Sequence, residues 1–156
     1  MRVLSHSISE ADPGRSSTVD SAHLFVVERV ESADGGVEAL LRLTDLSLRR
    51  TSAIPGCADE LLRHLPGLVR HRCECGSAHG IAAELADTET AHALEHVALE
   101  LLALDGHPRT TRGHTRWDAR RDGRGVYRVF LGIDDPASVS DALGRAAALL
   151  SEIANR

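Results

Sequence analysis

The sequence contains no lysine, and all 18 of its basic side chains are arginine. Chemistry that depends on a lysine Schiff base, or on a phosphate-binding loop ending in Gly-Lys, is therefore excluded. A GC-rich genome accounts for this absence without a functional cause. Aromatic residues are also scarce, at 3% of the chain. The core is therefore predicted to consist of Leu, Val, Ala and Ile.

Long apolar runs are missing as well. No stretch approaches the roughly 20 apolar residues of a membrane-spanning helix, and residues 1–15 hold no run typical of a signal peptide. The formal net charge of -5 argues against general nucleic-acid binding. The cysteines are odd in number, Cys57, Cys73 and Cys75. Together these features predict a cytoplasmic protein with reduced thiols and without membrane or nucleic-acid partners.

The pattern of the chain predicts an α+β fold. Its 156 residues, 42% of them hydrophobic, fit one globular domain. Residues 1–22 are predicted to form an N-terminal arm, or a first strand and loop, and residues 23–156 a single domain. Strands are predicted at 23–30, 37–48 and 126–133, the first two joined by a turn at 34–36. Helices are predicted at 58–69, 81–85, 89–104 and 136–154, and Pro66-Gly67 is expected to bend or end the first of them early. We expect a small antiparallel sheet packed against helices.

The helix predicted at 89–104, with Thr88 as its N-cap, carries an H-x-x-E-H motif, the inverted zincin pattern. His92 and His96 lie one turn apart on one face, about 6 Å along the axis, so both can bind one ion. Glu95 lies beside that face, where its carboxylate can act as a base on water activated by the metal. One zinc ion is the predicted cofactor. The alternative is that this Glu-His pair belongs to a solvated polar face.

Two histidines leave a third metal ligand to be found. Glu100 lies about 12 Å from His92 along a straight helix, too far for both to bind one ion. We therefore expect Glu100 to accept a hydrogen bond from His96 or to hold a substrate group. For Cys73 the alternative role is that of a buried structural thiol. The candidates for the third ligand are His71, Cys73, His79, Asp134 and Asp135.

Short blocks spread over most of the chain form an ordered series. They are Thr44–Ser47 (TDLS), Ile54–Gly56 (IPG), Leu65–Leu68 (LPGL), His71–Cys73 (HRC), His92–Leu101 (HALEHVALEL), Thr115-Arg116 and Gly125–Tyr127 (GVY). The series covers roughly residues 37–150 and is more specific than a single five-residue motif. In its order and content it resembles the N-terminal domain of cyanophycin synthetases.

The resemblance implies a domain that binds the Asp–Arg polymer chain. In some members of that family, the domain also carries a metal-dependent hydrolytic site that cuts the polymer into primers. Carried over to this sequence, the site would use His92, Glu95 and His96. Arg116 lies in a matching block and is expected to help hold the substrate, and His71 in another is expected near the site. The ATP-grasp and Mur-ligase-like domains have no counterpart here, so synthesis by this chain itself is not expected.

Three departures from the family pattern bear on substrate identity and on the third ligand. Residues 1–22 lack the family's tryptophan-containing opening block, and residues 74–80 read ECGSAHG in place of a serine and paired glycines. Leu131-Gly132 stands where the family has a glutamate. None of these departures affects the motif on the predicted helix.

We therefore expect a zinc-dependent hydrolase of peptide or isopeptide bonds. The alternative is a non-catalytic module that binds a peptide or an Asp/Arg-type polymer and acts with a separate ATP-dependent ligase encoded nearby. Glu95 favours the enzyme, because a pure binding site needs no base. A structural subunit of a larger assembly has no positive support in the sequence, and assembly into a homo-oligomer is left open.

Overall fold

The computed structural model describes residues 23–73 and 79–156, and these form one four-stranded sheet and five α-helices. The strands are β1 (Phe25–Ala33), β2 (Gly36–Leu43), β3 (Gly113–Arg116) and β4 (Val126–Leu131). The helices are α1 (Cys57–His64), α2 (Gly80–Ala86), α3 (Thr90–Leu104), α4 (Ala119–Asp122) and α5 (Pro136–Ala154). The predicted α+β class is confirmed. The arm predicted over residues 1–22 lies outside the described residues, so that division of the chain stays a prediction.

The sheet has the order β1-β2-β4-β3, with every neighbouring pair antiparallel. Because side chains alternate between the faces of a strand, one face collects the apolar residues. Ala39 lies opposite Val129 and Leu41 opposite Tyr127, and all four are buried. The predicted hairpin between β1 and β2 is confirmed, with Gly35 at a φ of 76° in its turn.

Helices α3 and α5 pack against each other and cover the apolar face of the sheet. Helix α5 contacts β1 and β2, and α3 contacts β3 and β4. As its spacing predicts, α5 buries one apolar stripe, Val139, Leu143, Ala146 and Leu150. Helix α3 is buried around most of its circumference, and its buried residues include the polar Glu95, His96 and Glu100. Tight packing on several sides holds these three side chains in place.

The bounds of three elements differ from those predicted. The strand predicted at 37–48 ends at Leu43, and a 3₁₀ turn, Leu46–Leu48, follows it. Helix α1 ends at His64, five residues before the predicted end at residue 69, and a 3₁₀ turn, Pro66–Arg70, follows it. The sequence indicated this early end, because Pro66 has no backbone N–H to continue the helix. Helix α3 begins at Thr90 with Glu89 in the N-cap position, so Thr88 is not its cap. The hydroxyl of Thr88 instead contacts His92.

The arginine-rich stretch at 107–125 holds more regular structure than its polar sequence predicts. It contains the edge strand β3 and the short helix α4. Strand β3 pairs with β4 from Gly113 opposite Leu131 to Arg116 opposite Arg128. The four residues of β3 are polar or small and show no alternation of apolar and polar residues. Strand β3 therefore forms because it pairs with β4, and its own sequence pattern does not predict it.

The two cysteines that the structure describes differ in oxidation state. Cys57 is a free, buried thiol, and burial raises its pKa to about 11. Cys73 is disulfide-bonded, which corrects the expectation that all the thiols are reduced. Within residues 23–73 and 79–156, none of the helices combines the length and apolar character that a membrane crossing requires.

Candidate metal centre

Cys73, His92 and His96 place three potential metal-ligand atoms within 4.8 Å of one another. The Nε2 atoms of the two histidines are 3.1 Å apart, and Sγ of Cys73 is 3.5 Å from Nε2 of His92. Bond lengths of about 2.0 Å to nitrogen and 2.3 Å to sulfur give ligand separations of about 3.3–3.6 Å around a tetrahedral zinc ion. The two separations that involve Nε2 of His92 are therefore close to those around a zinc ion, and the third is no more than 4.8 Å.

Two elements bring the donors together. Helix α3 supplies both histidines, and the segment after the 3₁₀ turn Pro66–Arg70 supplies Cys73. Of the candidates for the third ligand, only Cys73 belongs to this cluster within the described residues. Asp135 is engaged elsewhere, since it caps α5 by accepting hydrogen bonds from Ser138. Ligation by Cys73 requires its thiolate, so the disulfide must first be reduced.

Both histidines of the motif are suited to bind a cation as neutral rings. Burial, together with the neighbouring rings of His92 and His71, lowers the pKa of His96 to about 3. Burial also lowers the pKa of His92, against the opposing charge of Glu84. At neutral pH each imidazole therefore keeps one unprotonated nitrogen, which is the form that binds metals.

Each of these imidazoles has a partner on its other nitrogen. Oγ1 of Thr88 lies 3.0 Å from Nδ1 of His92, and Nδ1 of His71 lies 3.1 Å from Nδ1 of His96. Contacts of this kind fix the orientation of a metal-binding ring. One of the two roles predicted for Glu100 was to accept a hydrogen bond from His96, but the structure places His71 between them.

Glu100 is the most deeply buried charged group at the site, with 1% of its surface exposed. Its Oε2 accepts hydrogen bonds from Nε2 of His71 and from the Arg109 guanidinium, both at 2.8 Å, and Oε1 accepts a second bond from Arg109 at 3.1 Å. Burial by itself raises the pKa of Glu100, but the bonds from Arg109 and His71 outweigh it and lower the pKa. Glu100 is therefore an anion held by two partners.

Glu95 lies on the side of α3 that faces β3, and only 3% of its surface is exposed. The hydroxyl of Thr115 donates a 2.6 Å hydrogen bond to its Oε2. Gly113 makes room for the same carboxylate, because a Cβ atom at that position would lie 2.8 Å from Oε1 of Glu95. Sequence patterns missed both residues, since their role depends on β3 crossing beside α3.

Glu95 and the three metal-capable residues line one cleft of about 770 Å³. Its walls carry charges of both signs. The basic side chains are Arg50, Arg70, Arg72, Arg109 and Arg112, and the acidic ones besides Glu95 are Glu84, Asp87 and Glu89. Arginine binds carboxylates through paired hydrogen bonds, and carboxylates bind guanidinium groups in the same way. The cleft therefore suits a peptide-sized ligand that carries both kinds of charge.

Arg116 does not line this cleft. Its neighbour Thr115 faces α3, so alternation along β3 directs Arg116 to the opposite face of the sheet. There its exposed guanidinium lies 2.6 Å from Glu38, which also pairs with Arg128 at 2.9 Å. This geometry does not support the substrate-holding role predicted for Arg116.

The fold and the cluster define a class of α+β domain with a candidate metal centre in a charged cleft. The chain belongs to the cyanophycin synthase-like N-terminal domain family, whose model matches residues 38–155. The cyanophycin synthetase of Synechocystis sp. is 39% identical over 111 residues, which are 70% of this chain and 12% of that relative. The synthetase of Crocosphaera subtropica is 38% identical over 99 residues, or 62% and 11% of the two chains. That of Geminocystis herdmanii is 34% identical over 96 residues, or 61% and 10%.

These comparisons confirm the family resemblance that the sequence blocks indicated. The matched part of the chain corresponds to 12% or less of the length of these synthetases. The relatives are enzymes by name, but their ligase activity is a property of much longer proteins.

Proposed function

We propose that this domain is a metal-dependent hydrolase of peptide or isopeptide bonds, similar to the primer-generating hydrolytic site of some cyanophycin synthetase N-terminal domains. The observation that carries the proposal is that Cys73, His92 and His96 line the same cleft as the buried carboxylate of Glu95. A zinc ion bound by the three donors would polarise the scissile carbonyl and make water more acidic.

Glu95 acts as the general base and then as the acid. Its carboxylate takes a proton from the water whose oxygen attacks the carbonyl carbon. The C–N bond then breaks, and the same proton passes to the leaving nitrogen. The hydrogen bond from Thr115 orients the carboxylate for both transfers. A buried carboxylate beside the cluster favours the hydrolase, because a site that only binds needs no base.

The charges of the cleft indicate the substrate class. A peptide built from aspartate and arginine presents carboxylates to the arginines of the wall and guanidinium groups to its acidic side chains. The same lining also favours the alternative function, a module that binds such a polymer without cutting it and works with a separate ATP-dependent ligase. Cleavage distinguishes the two functions.

The test is a cleavage assay with reduced, zinc-loaded protein. The substrates are arginine-bearing aspartyl isopeptides and ordinary peptides, new amino termini are counted, and binding is measured in parallel. We expect cleavage of the aspartyl–arginine substrates that stops on chelation and returns with added zinc. Binding of these substrates without cleavage of any of them would establish the binding module and overturn the hydrolase.

Replacing Gly113 with alanine should impair hydrolysis without removing the metal. The new methyl group would meet Oε1 of Glu95 at 2.8 Å and Cδ1 of Leu99 at 3.0 Å, so the carboxylate must shift. Because a displacement of about 1 Å can cost about 100-fold in rate, we expect kcat to fall roughly 10–100-fold. The matched control is Gly144→Ala on α5, where the added methyl meets nothing within 4 Å. Equal kcat in the two variants would show that Gly113 is not needed to position the Glu95 carboxylate.

Arg116→Ala and Arg112→Ala should separate the cleft from the sheet surface around Glu38. Arg112, just before β3, lines the cleft, whereas Arg116 does not line it and pairs with Glu38. We expect KM to rise for Arg112→Ala by roughly 10–100-fold, the value of a lost charged hydrogen bond. For Arg116→Ala we expect little change in kcat/KM and a loss of stability below about 1 kcal/mol. A larger rise in KM for Arg116→Ala would restore the role that the sequence predicted.

A further inference from the structure

We propose that Glu100 is a positioning residue that acts through His71 to set the tautomer of His96. Its effect is to keep Nε2 of His96 unprotonated and directed at the metal centre. This inference rests on the proposed metal site, because it states how the protein prepares one of the ligands before the metal arrives.

The hydrogen bonds of Glu100 fix the donor and the acceptor in the contact between His71 and His96. An ionised carboxylate only accepts hydrogen bonds, and a guanidinium only donates them. Arg109 donates to both oxygens of Glu100, so Nε2 of His71, at 2.8 Å, must carry a proton in order to donate as well. In a neutral His71 ring whose proton is on Nε2, Nδ1 is the acceptor.

The hydrogen bond between His71 and His96 then determines which nitrogen of His96 carries the proton. Nδ1 of His71 lies 3.1 Å from Nδ1 of His96. Since the first of these atoms is the acceptor, the second must be the donor. A neutral imidazole with a proton on Nδ1 has its lone pair on Nε2. In His96 this Nε2 lies 3.1 Å from Nε2 of His92, inside the metal-capable cluster.

The packing around α3 leaves a space that the Glu100 carboxylate fills. A Cβ atom at position 67 would lie only 1.9 Å from Oε1 of Glu100, so Gly67 leaves space that no other residue could leave. With 1% of its surface exposed, Glu100 has exchanged water for His71 and Arg109. Burying a carboxylate costs desolvation free energy unless its hydrogen-bond partners are well placed. Here one of those partners, His71, contacts His96, which belongs to the metal-capable cluster.

His92 differs from His96 in this respect. Its Nδ1 lies 3.0 Å from the hydroxyl of Thr88, and a hydroxyl both donates and accepts. Without metal, His92 can therefore place its proton on Nε2 and donate to His96. On metal binding it can move that proton to Nδ1 and donate to Thr88. We expect His92 to change tautomer on metal binding and His96 to keep the same one.

The first experiment records nitrogen-15 NMR spectra of the histidine rings in reduced wild-type protein at neutral pH. Without metal, His96 should show a protonated Nδ1 and an unprotonated Nε2, and His71 should show a protonated Nε2. With one equivalent of zinc, His92 should switch tautomer while the proton of His96 stays on Nδ1. A proton on Nε2 of His96 in the metal-free protein would overturn the inference without any variant being made.

The second experiment measures zinc affinity by competition with a chromophoric chelator. In Glu100→Gln the carboxamide can donate to His71 and reverse its tautomer, so zinc affinity should fall roughly 10–100-fold, as when an outer partner of a ligand is lost. The matched control is Glu152→Gln on α5, whose exposed carboxylate pairs with Arg156, and it should bind zinc like wild type.

The outcomes separate the two proposals. Equal zinc affinity of Glu100→Gln and wild type would overturn the positioning role and leave the metal site standing. Failure of wild type to bind zinc would overturn the proposed metal-dependent function, and the positioning role with it. In that case the predicted tautomers would still be visible in the metal-free spectrum, so the source of the failure would be clear.

Discussion

Glu95→Gln is expected to abolish hydrolysis while the metal stays bound. Glutamine has nearly the same shape and can still accept the hydrogen bond from Thr115, so the packing around position 95 should survive. The substitution removes the basic carboxylate, and the loss of a general base typically lowers rates about 10²–10⁴-fold. The measurement is kcat on the cleaved peptide, with the zinc content of the same sample determined alongside.

A suitable control is Glu31→Gln on β1, an exposed residue that pairs with Arg29 at 3.3 Å. It should keep wild-type kcat and zinc content. If Glu95→Gln also kept wild-type kcat, Glu95 could not be the base. If it lost the metal together with activity, its carboxylate would belong among the ligands and not beside them.

His96→Ala is expected to have a comparable effect through a different cause, the loss of the metal. Nε2 of His96 lies 3.1 Å from Nε2 of His92, the other proposed metal ligand on α3. Losing a direct ligand should weaken zinc binding by more than the roughly 10–100-fold typical of outer partners, and hydrolysis should disappear with the metal. Zinc per chain after dialysis against a weak chelator measures this.

The control for His96→Ala is His64→Ala. His64 is the last residue of α1, does not line the cleft, and its Nδ1 lies 2.8 Å from the backbone oxygen of Glu60. Its loss should leave zinc binding unchanged. Retention of a full equivalent of zinc by His96→Ala, with a folded circular-dichroism spectrum, would exclude His96 from the ligand set.

The parts of the site that could be predicted from the sequence are those that depend on residues close together in the chain. His92, Glu95 and His96 lie within five residues on one helix, and helical periodicity alone determines their spacing. Local sequence also indicates the end of that helix, since Gly106 follows it at a φ of 101°. These parts of the site could be predicted because they depend on neighbours in the chain.

The contacts that support the motif come from distant parts of the chain. His71 reaches Glu100 across 29 residues, and Thr115 reaches Glu95 across 20. No periodicity encodes such pairings, which depend on how the 3₁₀ turn and β3 pack against α3. Arg116 lies in a block that resembles the family's, but the alternation of β3 decides which face of the sheet it occupies.

The most direct test of the central claim, that Cys73, His92 and His96 hold one metal ion, is zinc-edge X-ray absorption on reduced protein reconstituted with one equivalent of zinc. We expect about one bound zinc per chain, with one zinc–sulfur distance near 2.3 Å and at least two zinc–imidazole nitrogen distances near 2.0 Å, as in other mixed Cys/His sites. A protein that retains no zinc after reconstitution, or a spectrum with neither sulfur nor imidazole scattering, would contradict it.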